Sequence, residues 1–226
     1  MRYLNLTKAI FRERPNRFTA KVEMNGKEET AHIKNTGRLR ELLVPGTEVL
    51  LQHAENPNRK TQYDLIMVWS QQYQWVNIDS TAPNVIVHRW FIDKSANSVK
   101  PEYPYGDSRL DFYVKYKERR IMAEVKGCTL AENGIGLFPD APTERGSRHL
   151  EELIKAKKEG YEAFLIFVVM LDGVYCVRAN EQTDQQFSFM MRQAAEQDVN
   201  VICLTCRSDE KGTYITKETG VPVWMI

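Results

Sequence analysis

The chain has 226 residues, 42% of them hydrophobic and 27% charged, with 31 Lys/Arg against 30 Asp/Glu. That is enough for one large domain or two small ones around a real core, and it excludes a disordered or fibrous chain. No apolar run approaches the ~18 residues of a membrane span. Residues 1–10 hold only Arg2 and Lys8 as basic residues and no apolar stretch, so no membrane partner and no secretory leader is expected, and the cytoplasm is the default location.

In chain order, residues 17–24 place Phe18, Ala20, Val22 and Met24 on one face of a strand. Asn25-Gly26 supplies a tight hairpin turn, since both residues tolerate positive φ. Residues 30–33 form the return strand. A small helix is expected near 38–43, a turn at Pro45-Gly46, and further strands at 48–52, 64–70 and 74–78. Short strands with one small helix predict an OB-like small β-barrel over residues 1–82.

After Thr81-Ala82-Pro83 the pattern changes. Asn84 is read as the cap of a helix running to about 93, with Ile86 and Trp90 on one face. Three short strands follow at 98–103, 109–116 and 120–126, then a polar loop over 127–142. Thr143 starts a helix that ends near Gly160, with Leu150, Leu153 and Ile154 inward. The apolar run 161–170 reads as a strand covered on both faces. A helix at 184–197, a strand at 199–207 and a final hairpin over 213–226 turning at Gly220 complete an α/β domain over residues 83–226.

Four cysteines are too few and too irregular for a disulfide framework. Cys203 and Cys206 make a C-x-x-C inside an apolar strand. No second pair or nearby histidine completes a zinc site, so they read as core residues.

The sharpest chemical feature is Asp111 followed by Glu124-Val125-Lys126. On a strand, Glu124 and Lys126 share one face. The turn at 117–119 lets the two strands pair, so Asp111 converges on the same side. Two carboxylates suit a hard cation such as Mg²⁺ or Mn²⁺, and Lys126 beside them can orient or activate a water. An E-x-K triplet by itself is also a common ion-pairing pattern on exposed strands.

Several segments together resemble the sugar fermentation stimulation protein (SfsA) family. They are His32-Ile-Lys-Asn-Thr-Gly37 with Pro45-Gly46, Ser108-Arg-Leu-Asp-Phe112, Glu124-Val-Lys126, Thr129-Leu-Ala-Glu132, and Phe138-Pro-Asp-Ala-Pro-Thr-Glu-Arg-Gly146 with His149-Leu150. The resemblance implies an N-terminal OB-like barrel followed by a restriction-endonuclease-like α/β domain of the PD-(D/E)xK type, and a link to DNA binding and to sugar-utilisation genes. It implies that Asp111, Glu124 and Lys126 fill the nuclease motif, with Glu102 on the preceding strand as a further metal-ligating acid. Arg109, Thr143, Glu144, Arg145 and His149 are accessory candidates. Arg145 or Arg148 would hold phosphate and His149 would shuttle a proton. For Thr143 and Glu144, helix capping is the alternative; for His149, a structural hydrogen bond.

Residues 1–60 hold 12 Lys/Arg and 7 Asp/Glu. Arg12, Arg14, Arg17, Lys34, Asn35, Thr36 and Arg38 are the candidate nucleic-acid contacts there. Phe11, Phe18 and Tyr63 are candidate stacking rings, although Phe18 alternates with core residues and reads as buried. Asn35-Thr36-Gly37 reads as a special turn requiring Gly37. The leading expectation is a Mg²⁺- or Mn²⁺-dependent nuclease acting on nucleic acid, with DNA foremost. The alternatives are a non-catalytic DNA-binding regulator on a silent nuclease scaffold, and a protein-interaction module. The oligomeric state is left open, a homo-oligomer included.

Overall fold

The computed structural model describes residues 1–106 and 108–225. The first part is a closed barrel of β1 (Leu6–Asn16), β2 (Thr19–Met24), β3 (Lys27–His32), β4 (Glu48–His53) and β5 (Tyr63–Ser70). β1 pairs antiparallel with both β2 and β4, and the parallel β3–β5 pair closes the ring. Asn25 and Gly26 turn the β2–β3 hairpin with φ of 52° and 73°, the positive values that the dipeptide favours. Ala9, Phe11, Ala20, Val22, Ala31, Val49, Leu51 and Leu65 fill the interior.

One strand of this part was not expected, and the readings of residues 38–43, Phe18 and Phe11 are corrected. The long β1 lacks a clear sequence signal, because Arg12, Glu13 and Arg14 interrupt its alternation. Two register shifts in its pairing with β2 carry it through that stretch. Residues 38–43 are not helical. Leu39 takes a φ of 50°, its carbonyl accepts from Leu42 and Leu43 in a single turn, and burial of all three leucines holds that turn in place. Phe18 is half exposed, since it sits in the β1–β2 turn beyond the pleat, whereas Phe11 is fully buried and is no stacking platform.

β6 (Gln74–Asn77) leaves the barrel and touches β14 (Asn200–Asp209) through Trp75 and Ser208. The barrel and the second part thereby share one 12-stranded sheet. In the second part, β7 (Ser98–Tyr105), β8 (Ser108–Tyr116) and β9 (Arg119–Cys128) form an antiparallel meander. β12 (Glu162–Val169) lies parallel to both β9 and β14. Helices α1 (Ala82–Asp93), α2 (Glu144–Lys158) and α3 (Gln185–Glu196) accompany this sheet, and α2 and α3 lie in the crossovers between parallel strands. Seven of the eight β12 residues are buried, matching the unbroken apolar run of a strand covered on both faces. Burying each such Phe, Leu, Ile or Val contributes about 1.5–3 kcal/mol.

Thr143 and Asp184 cap α2 and α3 by accepting the Gly146 and Phe187 N–H groups. Gly160 follows α2 with a φ of 84°. Residues 127–142 are more ordered than a polar loop: β10 (Ala131–Glu132) and β11 (Ile135–Phe138) pair with each other, and β11 pairs with β13 (Val177–Ala179). These strands are too short for their period to show in sequence. The C-terminal hairpin is misplaced too. β15 (Gly212–Thr219) pairs back onto β14, so the turn lies before Gly212. Past Gly220 there is only a 3-10 turn, Val223–Met225, and Ile226 lies outside the described residues. Cys203 and Cys206 are buried free thiols, as core residues would be.

Candidate active site

β8 and β9 form a ladder from Tyr116–Arg119 up to Phe112–Ala123 and then separate. β8 meanwhile stays paired with β7 out to Tyr105–Ser108. The unpaired stretch opens a wedge, and Asp111 sits at its apex. Its Oδ2 accepts the Val125 backbone N–H at 2.8 Å, replacing the ladder bond that β8 no longer supplies. Its Oδ1 accepts from the Asn84 amide at 2.8 Å. Burial, with the Glu124 charge adding to it, pushes the Asp111 carboxyl up to about 6.

Glu124 is 2% exposed. Its Oε1 accepts from Lys126 Nζ at 2.5 Å and from His149 Nδ1. Burial alone would raise this carboxyl, but the Lys126 and His149 contacts outweigh it and hold it below the usual carboxylate range. Arg145 Nε donates to His149 Nε2 at 3.2 Å. A guanidinium can only donate, so Nε2 is the accepting nitrogen and Nδ1 carries the proton given to Glu124. Glu124 Oε2 is sealed from water and has no donor among the described residues. A buried, charged oxygen without a partner is costly, and a cation held with Asp111 could satisfy it. Among the described residues no group of three His, Cys, Asp or Glu side chains is poised as a metal cage. Two carboxylates with water filling the remaining positions is an arrangement Mg²⁺ favours.

The other expected residues distribute as follows. Glu102 lies on β7 between the pairs Pro101–Phe112 and Tyr103–Leu110, but its exposed carboxylate turns to Arg109 Nε at 2.7 Å and does not join the pair. Thr143 is the α2 cap and Glu144 an exposed acid in that helix's first turn. Arg109, Arg145, Arg148 and His149, with Ser108, Glu151 and Glu152, line a cavity of about 620 Å³ between the start of β8 and α2.

In the barrel, Arg12 is paired with Glu23 and Lys34 with Asp64 and Asp79. Arg14 donates to the carbonyls of Arg17, Asn35, Gly37 and Arg38. Arg17, Thr36 and Arg38 are exposed. Asn35 Oδ1 accepts the Gly37 N–H, and the Arg38 N–H reaches Asp140 at 2.9 Å. Gly37 is needed for close approach rather than for positive φ: a Cβ there would lie 2.4 Å from Asp140 Oδ2.

Sequence reasoning missed two site residues. Asn84 does not cap α1; Thr81 holds the N-cap position, with a proline in the first turn, and the Asn84 side chain is free to bind Asp111. The signal was Pro83, since proline favours the first helical turn and moves the cap upstream of itself. Asp184, which caps α3 through Oδ1, also accepts the Thr143 N–H through Oδ2 and so fixes the start of α2.

A five-stranded barrel joined to a meander whose wedge carries Asp111, Glu124 and Lys126 defines an OB-type barrel fused to a restriction-endonuclase-like α/β domain. Residues 13–78 match the family model described as the SfsA N-terminal OB domain, and residues 81–212 the one described as the sugar fermentation stimulation protein RE domain. The chain is 45% identical over 225 residues to a sugar fermentation stimulation protein homolog of Ruminiclostridium cellulolyticum, covering 98% of this chain and 99% of the relative. It is 46% identical over 219 residues to a homolog of Clostridium beijerinckii, with 95% and 96% covered. The structure of Pyrococcus furiosus SfsA in complex with Ca²⁺ superposes with a TM-score of 0.88 at 28% identity, covering 99% of this chain and 98% of that one. The chain belongs to the sugar fermentation stimulation protein family.

Proposed function

We propose that this protein is a divalent-metal-dependent phosphodiesterase acting on nucleic acid, with DNA as the foremost substrate and the cytoplasm as its location. The observation that carries the reading is the buried Glu124 Oε2, without a donor among the described residues, beside the Asp111 carboxylate. Asp111 and Glu124 would hold Mg²⁺ or Mn²⁺, and the Ca²⁺ complex of the Pyrococcus furiosus protein supports a divalent ion in this family. Such an ion lowers the pKa of bound water and stabilises charge on a phosphate.

The chain's own residues supply the rest. Asn84 and the Val125 N–H fix the Asp111 carboxylate. His149, oriented by Arg145, fixes Glu124. Lys126 bridges to Glu124 through one oxygen and stands ready to orient a water or offset charge developing on the phosphate.

No helix among the described residues is long and apolar enough to cross a membrane. The test is cleavage of end-labelled single- and double-stranded DNA and RNA in Mg²⁺, Mn²⁺, Ca²⁺ or EDTA, with wild type beside Lys126→Ala. Metal-dependent products that Lys126→Ala loses are expected. Salt-sensitive binding by both proteins without any product would instead establish the non-catalytic DNA-binding regulator.

A further inference from the structure

The cavity between the start of β8 and α2 adjoins the wedge and shares His149 with the site. Its volume of about 620 Å³ falls within the ~300–1,000 Å³ of sites that enclose a small molecule. Its walls combine two chemistries. Arg109, Arg145 and Arg148 present guanidinium groups, which match phosphate oxygens. Arg109 is engaged with Glu102, and Arg145 uses its Nε on His149. Arg148 is exposed and has no ion pair among the described residues, although Glu151 and Glu152 stand within one turn of it.

The acids distinguish this cavity from a plain anion well. Glu152 packs over Gly106, where a Cβ would lie 2.8 Å from its Oε2, and that buried oxygen has no donor among the described residues. An orphaned acceptor next to the Arg148 guanidinium calls for a ligand carrying N–H donors as well as phosphate. A nucleotide has both, on its base and on its phosphate; inorganic phosphate has only one.

We infer that this cavity is a nucleotide subsite, in which Arg145 and Arg148 hold a phosphate and Glu152 accepts from an amino or imino group of the base. The inference deepens the phosphodiesterase reading: it places one nucleotide of the strand beside the scissile bond. It makes Arg148 a substrate-positioning residue and Glu152 an acceptor that favours the bases with an exocyclic amino group, adenine, cytosine and guanine, over thymine or uracil. The phosphate is either an internal one or the one at a strand end.

The experiment measures binding in EDTA, so that it stands apart from cleavage. The probes are the four 5′-mononucleotides and inorganic phosphate, titrated by calorimetry against wild type, Arg148→Ala, Arg148→Glu and Glu152→Gln. Mononucleotides are expected to bind at least tenfold more tightly than inorganic phosphate. Arg148→Ala should weaken them about tenfold, in line with the loss of one charged hydrogen bond, and Arg148→Glu further. Glu152→Gln should narrow the preference for AMP, CMP and GMP over the mononucleotide without an amino group while leaving the circular dichroism spectrum unchanged.

Equal affinity for inorganic phosphate, or mononucleotide binding unmoved by both Arg148 variants, would overturn the subsite. Asp111→Asn should retain the binding; wild-type protein that binds nucleotides but never cleaves would refute the phosphodiesterase reading and leave the subsite standing. Linear 12-mers with a 5′-phosphate or a 5′-hydroxyl, compared with a circular strand, settle the source. A preference for the phosphorylated end assigns the terminal phosphate, and equal binding of all three assigns an internal one.

Discussion

Asp111 and Val125 are joined where two strands part: the carboxylate takes the β9 backbone N–H at the point where the β8–β9 ladder ends. The same contact that keeps β9 saturated aims the carboxylate at Glu124. The cost is electrostatic. With its carboxyl raised from 3.8 to about 6, the folded state holds a proton that the unfolded chain releases. Between those values the native state binds more protons at Asp111, so this group's contribution to stability falls as pH rises through the window from about 4 to 6 and stays low above it.

Asp111→Asn removes that charge and should therefore stabilise the metal-free protein at pH 8. Two pKa units correspond to about 3 kcal/mol, and partial solvation reduces the expected gain to about 1–2 kcal/mol. Urea unfolding in EDTA at pH 8 and pH 4 checks this. The gain should be present at the higher pH and absent at the lower; a loss at pH 8 would refute it.

Divalent cation should reverse that ranking. A ligand at 100 times its Kd stabilises the folded state by about 2.7 kcal/mol, which only an intact carboxylate pair can collect. Thermal unfolding with increasing Mg²⁺, Mn²⁺ or Ca²⁺ should raise the wild-type midpoint and leave Asp111→Asn and Glu124→Gln nearly unmoved. Equal shifts in all three proteins would place the ion elsewhere.

Arg14 and Arg12 lie two residues apart on β1, yet their removal should differ greatly. Arg14 satisfies the carbonyls of Arg17, Asn35, Gly37 and Arg38; a charged hydrogen bond contributes about 1.5–3 kcal/mol net, and contributions at one partly exposed side chain do not add in full. Arg14→Ala is expected to cost about 2–4 kcal/mol. Arg12, in an exposed pair with Glu23, should cost under about 1 kcal/mol. Denaturant midpoints of the two variants decide the matter.

Gly37→Ala would drive a methyl into Asp140 and displace the Arg38 N–H from it. A loss of about 1–3 kcal/mol is expected from such overpacking. Adding Asp140→Ala should recover part of it, because the obstacle is then gone. A double variant no more stable than Gly37→Ala would show that the contact is not what requires the glycine.

The parts of this molecule that sequence reveals are those governed by neighbours along the chain. The period of two puts Glu124 and Lys126 on one face, and Thr143, Asp184 and Gly160 announce their helix ends. What stayed hidden depends on distant partners. His149 meets Glu124 across 25 positions, and Asn84 meets Asp111 across 27. No local pattern encodes either contact. β1 is held by ladders on both sides, which override its broken alternation. The 38–43 segment has helical composition, but burial of Leu39 at positive φ decides its shape.

The seam between the two family regions has one further consequence. Trp75 on β6 pairs with Ser208 on β14, and Asn77 donates to both Tyr3 and Thr213 inside a buried polar knot. Severing the chain near residue 80 would strip those groups of their partners on both sides at once. Each half expressed alone is therefore expected to be less stable than in the whole chain. Barrel and α/β layer share this buried joint, and a change at Trp75 or Thr213 should be felt in both.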